Sequence, residues 1–384
     1  MKVLHIYKHF FPDGHGGVAE AIRQICKSTK TYNVDSSVYA LSPNPTPRNI
    51  FNEDIFIGRS KSYIAPFSCD LGGLSSIMLF RCMAEQSDII HYHFPWPYAD
   101  ILSLIVRPNK PQIMTWHSDI VRQGILKIIY APLMNYMLSR MHFVVATSPK
   151  YTYTSRTLLR KNVASRTRVI CLGMDESSFA KNHDLNILRR IGVDQDEAYF
   201  LFVGCTRYYK GLKYLIEASK EIRAKVVIAG YGPELGTLKQ EVLKHSVRNV
   251  IFTGKVTEDE KNCLLANCRA FVLPSHMRSE AYGMVLVEAS IAGKPMVTCE
   301  IGTGTSFVNI HNETGFVIKP ANPGEISRAL NMLLSDGSLA AKMGLAARKR
   351  FENNFTGHQM GKAYAQLYND VLQMHQPHHK KHNS

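Results

Sequence analysis

The chain has 384 residues, of which 45% are hydrophobic, and carries a formal net charge of +15. That length and apolar content exceed one ordinary core, so two domains with a cleft between them are expected, and a disordered or fibrous chain is excluded. No stretch reaches the roughly 18 uninterrupted apolar residues of a membrane span, and the eight cysteines, at 26, 69, 82, 171, 205, 263, 268 and 299, have neither zinc-site spacing nor the density of a disulfide scaffold.

In chain order, Met1 to Tyr7 reads as a short strand rather than a secretory leader, because its apolar run is brief and no small-residue cleavage site follows. A reduced, cytoplasmic setting is therefore expected. Apolar runs at 3–6, 37–40, 89–91, 112–116, 143–147 and 168–171 alternate with stretches of helical spacing such as 18–27 and 125–138. This is the rhythm of a parallel α/β sheet. A polar segment follows, and the rhythm restarts at 199–203, 225–229, 250–252, 270–273 and 295–299. The expected organisation is an N-terminal domain 1–175, a connection 176–198 and a second α/β domain 199–355. A last helix within 356–375 is expected to pack back on the first domain, ahead of a disordered tail at 376–384.

Charge is uneven along the chain. Residues 1–173 hold 20 Lys/Arg against 10 Asp/Glu, a balance of +10, whereas 174–384 hold 26 against 21, a balance of +5. Between Asp119 and Asp175 there is no acid, only Arg122, Lys127, Arg140, Lys150, Arg156, Arg160, Lys161, Arg166 and Arg168. A field of one sign attracts anions, among them lipid headgroups and phosphorylated acceptors; a solvated basic surface is the plainer reading. No aromatic-rich recognition motif lies beside it, so nucleic acid is not expected as a partner.

Several loops at strand ends could carry chemistry. Gly14-His15-Gly16-Gly17 joins the first strand to a helix, where unpaired N–H groups suit an anion such as a diphosphate, or where glycines simply make a tight turn. Gly204 to Gly211 follows the strand 199–203, yet its glycine and lysine spacing is not that of a Walker loop and no Ser/Thr follows Lys210. What remains is a guanidinium, Arg207, and an ammonium, Lys210, at a strand's C-terminal end, where they can neutralise a leaving diphosphate. Gly230-Tyr231-Gly232-Pro233 is a cleft-edge loop rather than a dinucleotide fingerprint, because the next glycine is Gly236 and Pro233 stiffens the turn. Asp194-Gln195-Asp196 has the form of a metal clamp but sits in the polar connection, where Asp serves turns.

The stretch from Ser279 to Glu288 holds two glutamates eight positions apart. Residues 283–292 read as a helix stopped by Gly293 and Pro295. Glu280 then lies in the loop before it and Glu288 in its second turn, so the two are not a glycosidase dyad. A loop carboxylate can accept ligand hydroxyls while amides at the helix start meet phosphate. The alternatives are helix-start electrostatics for Glu280 and a solvated helix face for Glu288. In the first domain His117 falls at the C-terminal edge of the strand 112–116, toward the expected cleft.

Taken together, these residues resemble the retaining glycosyltransferases of family 4, which have the GT-B fold of two Rossmann-like doubly wound α/β domains facing a cleft. The resemblance rests on Gly16-Gly17, His117, Gly173-Met174-Asp175, Gly204 to Gly211, Gly230-Tyr231-Gly232-Pro233 and the Glu-x7-Glu element. Gly293-Lys294-Pro295 and Thr314-Gly315-Phe316 continue it. It implies that the amides of Gly16 and Gly17 hold the donor diphosphate with Arg207 and Lys210, that Glu288 binds the ribose, and that Val256 lies near the nucleobase. Glu280, the backbone of Ala281, Tyr282, Gly283, Met284 and Val285, and His117 would meet the transferred sugar. Gly302 to Asn309, with the opening strand, is most similar to bacterial mannosyl- or rhamnosyltransferases of O-antigen assembly. The implied reaction is metal-independent retaining transfer of an α-mannosyl residue from GDP-mannose to a lipid-diphosphate-linked saccharide; separately, the acid-free stretch 120–174, with the apolar Ile125, Leu126, Ile128 and Ile129, leads us to expect that the first domain docks peripherally on the anionic inner membrane. A UDP-sugar enzyme and a non-catalytic sugar-nucleotide binder are the rival readings. Ala281 and Tyr282 stand where many relatives have Gly and Phe.

Overall fold

The structure is a computed structural model that describes residues 1–65, 69–120, 124–179, 185–194 and 196–375, without the side chains of 124–127. The expected tail 376–384, Arg122 and Gln195 lie outside the described residues, as do the side chains of Ile125, Leu126 and Lys127. The chain divides into two compact units, the first made of Met1–Gly173 and the segment from Gly357 onward, the second of Met174–Thr356.

In the first unit eight strands form one sheet: β1 (Lys2–Ile6), β2 (Asp35–Ser42), β3 (Asn49–Asn52), β4 (Ile55–Lys61), β5 (Ile89–Phe94), β6 (Gln112–Trp116), β7 (Phe143–Ala146) and β8 (Thr167–Val169). Their order is β3-β4-β2-β1-β5-β6-β7-β8. Only the edge pair β3–β4 is antiparallel. Its turn, Glu53-Asp54, holds φ at 49° and 65°, the left-handed geometry that lets a two-residue hairpin follow strand twist. The alternation of β5 decides what each face of the sheet meets. Ile90, Tyr92 and Phe94 join Leu4, Ile6, Met114 and Trp116 in one core, which leaves His91 and His93 on the opposite face. That face receives the C-terminal helix Gly357–His375, whose Tyr364 and Tyr368 hydroxyls reach Thr115 and His91. The helix also packs closely on Gly17–Lys30: a Cβ at Gly361 would stand 2.3 Å from the Ser28 carbonyl oxygen, so any larger residue would push the two helices apart.

The second unit holds β9 (Tyr199–Val203), β10 (Lys225–Ala229), β11 (Val250–Gly254), β12 (Ala270–Leu273), β13 (Met296–Cys299) and β14 (Gly315–Ile318). All pairs are parallel and the order is β11-β10-β9-β12-β13-β14. β9, β12 and β13 are buried along their whole length, as strands covered on both faces must be. The order reverses between β9 and β12, and ligands of open α/β sheets bind outside the carboxyl ends of strands at such a switch point. The segment expected as a connection is tied to this unit: Arg190 pairs with Glu260 at 2.6 Å and Glu176 with Arg348 at 2.7 Å. Among the described residues no helix is long and apolar enough to cross a membrane.

Candidate active site

The two loops that leave β9 and β12 meet at the switch point of the second unit. The β9 loop makes a short 3-10 turn, Tyr208–Lys210, and ends at Gly211 with φ 70°. A Cβ there would lie 2.1 Å from the Pro274 carbonyl oxygen, so both backbone conformation and close approach demand glycine. His276 N–H donates to the Tyr209 carbonyl at 3.0 Å and locks the loops further. The Lys210 ammonium consequently reaches the Glu280 carboxylate, which also accepts from Ser275 Oγ at 3.0 Å.

Burial works against a charge on Lys210, but the adjacent Glu280 carboxylate outweighs it and holds the ammonium's pKa above its ordinary value. The Lys210 ammonium is therefore charged near neutral pH. Arg207, which the sequence pattern makes Lys210's equal, is exposed, and its side chain makes no hydrogen bond or ion pair to any described residue. One cation is paired and mostly buried, and the other is exposed.

Glu280 is buried and lies outside the helix Met284–Ile291, whose N-cap is Gly283. Its carboxylate engages a lysine and a serine rather than the helix amides, which removes the helix-start alternative. Glu288 is 7% exposed, and its Oε1 accepts from Lys261 Nζ at 2.7 Å, so the solvated-face alternative fails as well. Lys261 is itself raised in pKa, because Glu288 and then Glu258 overcome its desolvation. The two glutamates thus serve separate lysines.

The backbone between them is clamped from below by the loop after β13. Thr303 Oγ1 donates to the Glu280 carbonyl and Gly304 N–H to the Ala281 carbonyl, each at 2.8 Å, while Arg278 donates to the Gly302 carbonyl at 2.7 Å. Tyr282 is buried edge-on to Phe355 and Met284 is also buried, whereas Ala281 and Val285 are half-buried. Val256 is half-buried in the loop after β11. Asp194 and Asp196 are exposed.

In the first unit Gly16 caps and Gly17 opens the helix Gly17–Lys30, and a Cβ on either would meet nothing within 4 Å. Packing does not explain these glycines. His117 follows β6, with its N–H bonded to the Phe94 carbonyl at 3.1 Å. Its ring continues a buried row that sequence reasoning misses. His93 Nδ1 and His117 Nε2 are 2.9 Å apart, and His5 Nδ1 and His93 Nε2 are 3.0 Å apart. His91 bonds Tyr368 at 2.9 Å and Thr115 at 2.7 Å. Burial drives the pKa of His5 and of His117 down to about 3 and holds His91 and His93 well below the usual range, so all four rings are neutral. The legible signal is His-x-His inside a strand, with a histidine at the register partner of His91 on β1.

His5, His91 and His93 also bring nitrogens within 4.8 Å of one another, a spacing that admits a metal ion. Yet both ring nitrogens of His91 and of His93 are already hydrogen-bonded, and a metal would have to displace those bonds. The donor set fits a hydrogen-bonded row better than a cation site.

The family profile described as Glycosyltransferase Family 4 matches residues 15–178, and that described as Glycosyl transferases group 1 matches 185–350. The chain is 36% identical over 377 residues to the "O-antigen chain mannosyltransferase C" of Escherichia coli, covering 97% of this chain and 99% of that protein. It is 38% identical over 359 residues to the "D-rhamnosyltransferase WbpZ" of Pseudomonas aeruginosa, covering 93% and 92%. Among solved structures, sucrose-phosphate synthase from Thermosynechococcus elongatus superposes with a TM-score of 0.83 at 19% identity, over 97% of this chain and 99% of that one. The chain belongs to the family 4 glycosyltransferases and has the GT-B fold.

Proposed function

We propose that this glycosyltransferase moves an α-mannosyl residue from GDP-mannose to a lipid-diphosphate-linked saccharide in O-antigen assembly, with retention and without a metal ion. The observation that carries the reading is the Lys210–Glu280 pair at the β9/β12 switch point. It keeps a fixed, charged ammonium where the leaving diphosphate of a nucleotide sugar gathers negative charge. Stabilising that charge is the chief demand of the reaction. The names of the two bacterial relatives supply the sugar class and the O-antigen setting.

In this reading the bond between the anomeric carbon and the diphosphate oxygen breaks while an acceptor hydroxyl oxygen bonds the same carbon from the same face. The acceptor proton passes to the departing phosphate oxygen. Lys210, Arg207 and the amides of Gly16 and Gly17 receive the diphosphate, and Glu288 receives the ribose. Glu280, the backbone of 281–285 and His117 meet the sugar. Glu280 orients and balances charge rather than acting as nucleophile, since Lys210 and Ser275 already occupy its Oε2.

The test is incubation with a panel of GDP- and UDP-sugars, with and without chelator, followed by nucleotide diphosphate release and anomeric NMR of the product. GDP-mannose turnover with an α-product is expected, undiminished by chelator. Release from UDP-sugars alone overturns the donor, and release from no donor overturns the enzyme reading in favour of a sugar-nucleotide binder.

The same proposal seats the first unit on an anionic leaflet. Ile128 and Ile129 are 74% and 70% exposed within the acid-free segment that also exposes Arg140, Arg156, Arg160, Lys161 and Arg168. Each basic residue near such a surface contributes about 1 kcal/mol. Co-sedimentation with phosphatidylglycerol vesicles should fall steeply with salt; salt-independent binding, or none, removes this partner.

A further inference from the structure

The row His5–His93–His117 has a direction, and it follows from one orphaned atom. His5 Nε2 is buried and has no hydrogen-bond partner, although its Nδ1 faces His93. A neutral imidazole carries one N–H and one lone pair, and a buried N–H is rarely left orphaned in folded proteins. The unpartnered Nε2 of His5 is therefore the lone pair, and the proton of His5 sits on Nδ1. That proton is donated to His93 Nε2, which must then be bare, so His93 carries its own proton on Nδ1. His93 donates in turn to His117 Nε2, which leaves the His117 proton on Nδ1.

We infer that His93, backed by His5, is a positioning residue that fixes His117 as its Nδ1–H tautomer, so that His117 presents a ring donor to a sugar hydroxyl oxygen. The tautomer follows from the first unit alone; its use toward a sugar rests on the glycosyl-transfer reading above. His117 Nδ1 makes no hydrogen bond to a described residue, and His117, at 4%, is the most exposed of the four rings, against 0% for His5 and His91 and 1% for His93. Burial keeps every ring in the row neutral, so proton placement rather than charge is what the row transmits. His91 stands beside the row and serves elsewhere, its two nitrogens anchoring Tyr368 of the C-terminal helix and Thr115 of β6.

The test combines a spectroscopic with a kinetic reading on the full-length protein. Histidine labelled with 15N should show His117, assigned through His117→Gln, protonated at Nδ1 and bare at Nε2. In His93→Phe, whose ring fills the space without a donor, that signal should redistribute between the two tautomers. In His93→Asn, whose amide nitrogen lies near the position of the imidazole Nδ1, it should stay as in the wild type. His5→Phe, which removes the far end of the row, should loosen it partly. With GDP-mannose as probe, the loss of one aligned hydrogen bond predicts that kcat/KM falls about tenfold in His93→Phe and is largely restored in His93→Asn. A wild-type His117 protonated at Nε2, or a His117 signal unmoved by His93→Phe, overturns the relay whatever the enzyme's donor. If the NMR holds, and the active wild type and His93→Phe have equal kcat/KM, the relay's service to the sugar is overturned. Failure of the wild type to turn over any nucleotide sugar marks instead the failure of the glycosyl-transfer reading, with the tautomer still decided by NMR.

Discussion

The two units bury polar side chains in opposite electrical states. The first keeps four imidazoles neutral beneath a helix, three of them bonded ring to ring, while the second sets two charged lysines against buried glutamates, one where the loops after β9 and β12 meet and one between two helices. A neutral row can hold an orientation without a field. A buried ion pair supplies a field, and losing one partner leaves the other charge stranded. Under the proposed function, the second unit brings fixed cations to the diphosphate, and the first brings the neutral His117 to the sugar.

The sharpest way to break the comparison is Lys210→Ala. Removing one charge-stabilising donor costs about 10² to 10³ in turnover, so kcat at saturating donor should nearly vanish. Turnover within a few-fold of wild type removes the phosphate role. Lys261→Ala comes next: it takes the cation away from the buried Glu288 carboxylate, and stability in urea should drop by about 3 kcal/mol, as for other broken buried pairs. A loss below about 0.5 kcal/mol, the size of an ordinary surface change, would mean that Glu288 finds water instead.

The pH profile of unfolding then separates the units. The four buried histidines of the first unit, His5, His91, His93 and His117, have folded pKa values below the unfolded value of 6.5. Above that pH both states are neutral. As pH falls from 6.5 toward 3 the unfolded chain takes up protons that the folded one refuses, and stability falls by up to about 1.4 kcal/mol per pH unit for each ring. Lys210 and Lys261 run the other way: their folded pKa values lie above 10.5, so their contribution is complete below that pH and is lost above it. Thermal melts from pH 7 to 4 should show the acid loss, reduced in His5→Phe. The smallest effect belongs to the exposed cation: Arg207→Ala should leave stability within about 0.5 kcal/mol while slowing turnover. A large change in melting temperature would show that Arg207 is structural.

Much of this is legible in the sequence, and the gaps have physical reasons. Gln112–Trp116, Tyr199–Val203, Lys225–Ala229 and Ala270–Leu273 are readable to the residue, because buried parallel strands are short apolar runs bounded by polar turns. The β3–β4 hairpin is invisible, since Glu53-Asp54 adopts a turn whose usual signal is Asn-Gly or Asp-Gly. β14, Gly315–Ile318, escapes because it opens on a glycine, which strands disfavour, and its apolar run is only three residues. The helix that includes Glu288 and leaves out Glu280 is readable, opening at Gly283 and stopped by Gly293 and Pro295. Their partners are not: Lys261 and Lys210 are 27 and 70 residues away from the carboxylates they bind, and no local pattern records such a meeting. Burial is equally hidden, which is why Arg207 and Lys210 look alike in the sequence and differ in the fold.

The C-terminal helix Gly357–His375 carries a consequence for how the molecule is made. Tyr364 and Tyr368 complete the covering of a sheet whose strands are all synthesised long before them, whereas Met174–Thr356 is one uninterrupted stretch. The nascent chain can finish its second half before its first. His5, His91 and His93 wait uncovered until the segment from Gly357 has been made, and a chain cut short before Gly357 keeps its second unit whole and leaves its first without a helix.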